Sequence, residues 1–138
     1  MRKILFAGVT AALSALSALV PQFAGAWQAD NRLTVNPVSD TVFEVIGLPG
    51  SPGSEFWCAA GEYALRVLGT SSTQRVYIVR GRAAPVTGTG PSAVQFSLNL
   101  PEGVPPQSGL TLSVKKVGDN LSVAFARTYC LDQKSTDF

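Results

Sequence analysis

The residues able to do chemistry in this chain are few. It holds two cysteines, Cys58 and Cys130, and no histidine. Without histidine, the usual general base of serine and cysteine hydrolases is missing, as is the commonest transition-metal ligand. A reactive thiol needs a Cys-x-x-Cys partner or an activating base, and the sequence supplies neither. With both thiolates paired, a zinc site would have to rely on carboxylates, and no Asp-rich segment has the spacing of a calcium loop. The sequence therefore predicts no catalytic residue, no metal site and no cofactor.

The remaining candidates have bland readings. Glu55 and Glu62 share one face of an expected helix. Seven residues at about 1.5 Å each separate them by roughly 10 Å along the axis, beyond a glycosidase pair. Beside Arg66 they read as a solvated stripe. Residues 47–54 (GLPGSPGS) run from a strand into a helix, where phosphate loops occur. The segment lacks a Gly-Lys-Ser/Thr ending and GxGxxG spacing, and its prolines remove N–H donors, so it reads as a tight connection. Arg80, Arg82, Lys115 and Lys116 form a candidate anion-attracting patch, though surface charge on a half-exposed sheet explains them as well. Trp57 reads as core. Asn120-Leu121-Ser122 matches a glycosylation sequon, a match taken as accidental in a chain whose N-terminus looks bacterial.

Residues 1–26 set the compartment. Arg2 and Lys3 precede the apolar run 4–20, and a small-residue Ala24-Gly25-Ala26 site follows. This is the pattern of a secretory signal peptide, with an uncleaved anchor as the alternative. Cleavage after Ala26 removes 26 of 138 residues and leaves one domain of 112, residues 27–138. Without Arg2 and Lys3, nine basic residues balance nine acidic ones. A neutral chain without a basic cluster argues against nucleic acid and against electrostatic docking to anionic lipid. No later stretch approaches membrane-spanning length. An even cysteine count in an exported chain predicts a Cys58–Cys130 disulfide. It closes a loop of about 70 residues, worth roughly 4 kcal/mol in the chain-entropy model.

Residues 27–40 read as polar and irregular apart from a weak Leu33-Thr34-Val35 strand signal, and 41–46 as a short strand. Residues 54–68 form the strongest helix: a narrow stripe of Glu55, Ala59, Glu62 and Arg66 opposes a broad apolar arc. Ala60, Gly61 and Ala64 in that arc allow close approach to a sheet. Ser51 or Ser54 is available as N-cap, and Gly69 as the stop. Strands are expected at 75–80 (internal), 93–100 and 110–114, the last two alternating as sheets with one wet face do. A short helix is expected at 121–130, capped by Asp119, Asn120 or Ser122, followed by a frayed tail. The order β-α-β-β-β-α predicts an α+β two-layer domain, an antiparallel sheet of about four strands with one long and one short helix on one face.

The block Phe56-Trp57-Cys58-Ala59-Ala60-Gly61, together with Arg75-Val76-Tyr77-Ile78, Ala93-Val94-Gln95-Phe96 and the closing Tyr129-Cys130, resembles a group of small exported bacterial proteins of unknown function. The resemblance spans roughly residues 42–130. It implies a periplasmic or secreted location and paired cysteines, and it brings no activity or binding residues. Two functions remain as expectations. One is a non-catalytic exported domain that binds a protein or cell-envelope component. The alternative is a small hydrolase using carboxylate or hydroxyl chemistry.

Overall fold

The structure is a computed structural model that describes residues 25–107 and 112–134. Nearly all of the expected signal segment lies outside the described residues, as do positions 110 and 111 of an expected strand and the end of the expected tail. The chain runs β1 (Trp27–Gln28), β2 (Thr34–Pro37), β3 (Val42–Ile46), α1 (Gly53–Arg66), β4 (Arg75–Ala83), β5 (Ala93–Ser97), β6 (Asn120–Ser122) and α2 (Val123–Lys134). The six strands form one antiparallel sheet in the order β1-β2-β3-β5-β4-β6.

The α+β class, the antiparallel sheet and the two helices match expectation. The strand count and the order do not. Residues 27–40, read as irregular, supply β1 and β2. Their local signal is weak because the residues that reach the core, Trp27, Ala29, Leu33 and Val35, are interspersed with polar ones, and pairing within the sheet rather than intrinsic propensity makes them strands. The expected strand 110–114 is not one at residues 112–114. Val114 is buried there, and its carbonyl accepts the Arg82 N–H at 2.8 Å. The sixth strand lies instead at Asn120–Ser122, three residues paired with Arg75–Tyr77, too short to show any alternation.

Alternation on the central strands sets the two faces of the sheet. Phe43, Val45, Val76, Ile78, Val94 and Phe96 point to one side and are fully or almost fully buried beneath α1. Trp57 of α1 meets Phe96 edge-on at 5.0 Å, and Tyr63 packs on Phe43 at 4.7 Å and on Trp27 at 5.6 Å. Trp57 is core, as expected.

The ends of α1 show one correction. Pro52 occupies the N-cap position and no side chain caps the helix; Ser51 Oγ instead accepts the Leu48 N–H at 2.9 Å, bracing the turn before it. Glu55 in the first turn suits the positive end of the dipole. Gly69, with φ of 66°, sits just past the end as expected, and the Thr70 N–H caps the Ala64 carbonyl. At the second helix Ser122 Oγ accepts the Phe125 N–H at 3.1 Å, the cap anticipated among three candidates.

A second correction concerns which surface the small residues of α1 serve. A Cβ on Gly61 would stand 2.9 Å from Ala126 Cβ and 3.2 Å from the Arg127 backbone nitrogen. Gly61 thus admits α2, not the sheet. The two helices are neighbours, and α1 is enclosed by the sheet, by α2 and by the β1–β2 turn.

Candidate functional site

Two buried carboxylates organise the molecule, and the sequence singled out only one of them, for a different role. Glu62 stands one helical turn after Cys58 on the side of α1 facing α2. The disulfide joins Cys58 to Cys130 with Cα atoms 5.0 Å apart. A Glu62 carboxylate oxygen lies within 4.8 Å of both sulfurs. The sulfurs are bonded to each other, so this is a disulfide with a carboxylate beside it rather than a set of open metal ligands. Cys58 is fully buried, whereas Cys130 is partly exposed.

Glu62 was expected on a solvated stripe with Glu55, Ala59 and Arg66. Only 2% of its surface is exposed, and Ala59 is wholly buried. The β1–β2 turn covers them. The Asp30 backbone N–H donates to both Glu62 oxygens at 3.2 and 3.3 Å, and Asn31 Nδ2 donates to the Glu55 carbonyl. Arg66 Nη1 reaches Glu62 at 3.0 Å and the Asp30 carboxylate at 3.4 Å. Burial raises the Glu62 carboxyl above its ordinary range and the Asp30 charge adds to this, while the Asp30 N–H and Arg66 oppose it. The misreading arose because residues 27–40 carried no sign that they would return across the helix.

The second carboxylate is Glu44, at the centre of β3 on the sheet face away from α1. Its exposure is zero. It accepts hydrogen bonds from Val86 N at 2.9 Å, Thr87 N at 2.8 Å, Thr87 Oγ1 at 2.7 Å and Gln95 Nε2 at 2.9 Å. Arg80 Nη1 lies 3.7 Å away. Burial works against the charge, but the donors from Gln95, Thr87 and Val86 outweigh it and hold the carboxyl below the usual range. Asn36 Nδ2 adds a bond to Thr87 Oγ1 at 3.0 Å. The segment after β4 is thereby clamped down on a sheet face that the 93–100 alternation assigns to water. Gln95 is half-buried, and Ser97 is 3% exposed. In sequence, a lone Glu among apolar strand residues is the sole signal for this clamp.

The proposed basic patch is only partly assembled. Gly81 sits against the Lys115 backbone, so Arg80, Arg82 and Lys115 are near one another. Yet Arg80 turns to Glu44 and to the Ala84 carbonyl at 2.8 Å. Arg82 lies over the Phe56 ring at 4.7 Å and donates to the Ser51 carbonyl at 3.0 Å. Both guanidinium groups hold loops in place. Asn120, within the sequon, donates to the Gln107 and Gly118 carbonyls and receives Arg75. Asp119 is buried, and burial raises its carboxyl while Lys116 opposes the shift.

Glu44 and Glu62 stand on opposite sides of the sheet, so they do not converge on one substrate. Among the described residues no helix is long and apolar enough to cross a membrane. No protein-family model matches the chain, and no curated protein or solved structure matches it significantly.

Proposed function

We propose that the protein is an exported, disulfide-stapled domain that binds a protein or cell-envelope component through the clamped loop after β4, without catalysing a reaction. The observation that carries this reading is Val86. Its backbone N–H is tied to the buried Glu44 carboxylate, while the residue as a whole is 69% exposed. An apolar side chain held out on a fixed backbone meets a partner at little cost in loop ordering. Gly90 packs against Ile46 and near the Gly47 carbonyl, which puts the loop beside the turn carrying the half-exposed Leu48. Export is supported by the disulfide, which persists in oxidising compartments, and by the basic–apolar–small pattern of residues 1–26.

The alternative hydrolase needs acidic groups gathered in one place. The two buried glutamates lie apart, each engaged by protein donors, and Asp30, which does stand beside Glu62, is bridged to it by Arg66. The test has two parts. Mature protein immobilised in cell-envelope extract should retain a component that the Val86→Glu variant does not. A screen with esterase, peptidase, glycosidase and phosphatase substrates should show no turnover. Turnover abolished by one Asp→Asn or Glu→Gln change would replace the binding reading with the enzyme. Export is checked separately: precursor expressed in a Gram-negative host should yield protein with Trp27 at its N-terminus.

A further inference from the structure

Cys58, Cys130 and Glu62 together carry an inference beyond binding. The two cysteines differ in exposure, Cys58 on α1 being fully buried and Cys130 on α2 partly exposed. The carboxylate within 4.8 Å of both is itself shielded from water. We propose that this cluster is a thiol–disulfide exchange centre, in which Cys130, the more exposed cysteine, meets the external sulfur compound and Glu62 takes or returns the proton of Cys58.

Closing of the disulfide takes two exchanges. The Cys130 thiolate attacks an external disulfide R–S–S–R, forming Cys130–S–S–R and releasing R–S⁻. The Cys58 thiol then passes its proton to the Glu62 carboxylate as its sulfur attacks the Cys130 sulfur. The Cys58–Cys130 bond forms, the Cys130–S–R bond breaks, and a second R–S⁻ departs. Two protein thiols are oxidised and one external disulfide is reduced to two thiols. Opening is the reverse: an external thiolate attacks Cys130, and protonated Glu62 supplies the proton to the departing Cys58 sulfur.

Glu62 matters to this step for electrostatic reasons. A Cys58 thiolate would be left buried beside a carboxylate, and both burial and like charge disfavour it. A proton delivered within the cluster removes that obstacle. The distance is closed by a small rotation of the Glu62 side chain or by one water molecule. The charged groups acting on Glu62 are Asp30 from the β1–β2 turn and Arg66 from its own helix; from α2, the Arg127 stem packs against the adjoining Gly61. Burial and Asp30 keep the carboxyl protonated above its ordinary range, so a donor is available there for opening.

The experiment follows reduction of the folded, oxidised mature protein by dithiothreitol, reading thiols by alkylation and mass under native conditions. Rates are expressed per dithiothreitol thiolate across the pH range in which Glu62 ionises. The wild-type rate per thiolate should stay level while Glu62 is protonated and fall about tenfold or more as Glu62 loses its proton. Glu62→Gln, which can still accept the Asp30 N–H, should give a flat profile below the acid limb of the wild type. Arg66→Gln removes the opposing cation and should move the fall to higher pH. Quenching with iodoacetamide should find the dithiothreitol adduct on Cys130 and the alkyl group on Cys58. Parallel profiles for wild type and Glu62→Gln, an unmoved profile in Arg66→Gln, an adduct on Cys58, or rates independent of dithiothreitol would each overturn the proposal.

Discussion

Glu44 and Glu62 are both carboxylates shut away from water, yet their protons respond in opposite directions because their partners differ. Glu44 gathers four strong donor bonds from three residues, so its folded value lies below that of the unfolded chain, about 4.3. Its contribution is therefore fully present above that value and is lost as pH falls through the depressed folded value. Replacing Glu44 with Gln should cost roughly 2–3 kcal/mol at neutral pH, since an amide group must face backbone N–H donors. Urea denaturation at neutral pH should show that loss, and the gap from wild type should narrow in acid. Glu62 behaves in the reverse sense. Its folded value is raised, so its share of stability is present below the unfolded value and is lost as pH rises through the folded one. Glu62→Gln should therefore lack the decline that the wild type shows just above the ordinary glutamate range, measured by the same denaturation series. An equal decline in both proteins would mean that another group is responsible.

The contact between α1 and α2 depends on a glycine where helix propensity prefers almost anything else. In an exposed helix Gly→Ala gains about 1 kcal/mol. At Gly61 the added methyl would meet Ala126 Cβ at 2.9 Å and the α2 backbone at 3.2 Å, so one helix must move. Overpacking of this kind costs about 1–3 kcal/mol, and the sign should therefore reverse. Gly61→Ala is expected to be less stable than wild type by thermal or denaturant unfolding, despite its better helix former. The loop after β4 has an equivalent dependence on a distant element. Its bonds to Glu44 are long-range in sequence, so hydrogen exchange at the Val86 and Thr87 amides should be protected in wild type and fast in Glu44→Gln.

The whole domain is closed by one covalent link across 72 positions of sequence, which ties the long helix to the last one. In the chain-entropy model a closure of this length is worth about 4 kcal/mol, a large share of a small domain's stability. Mass analysis of the folded protein should find it two hydrogens lighter before reduction than after. The double variant Cys58→Ser/Cys130→Ser should unfold at clearly lower denaturant. Unchanged stability would show that packing between α1 and α2 suffices without the bond.

Much of this was legible along the chain. The Ser54-to-Leu68 helix periodicity, the β-branched strands, Gly69 as a stop and the pairing of two cysteines are local signals or matters of counting. They reflect steric preference and periodicity, which neighbouring residues express by themselves. The burial of Glu62 and Glu44 was not legible, because each depends on a segment arriving from elsewhere. Asp30 comes from 32 positions before Glu62, and Val86 from 42 positions beyond Glu44. Whether a carboxylate faces water or a ring of donors depends on which backbone N–H groups tertiary folding brings to it. Helical period and strand alternation identify the face that a side chain occupies; they carry no information about what will cover that face.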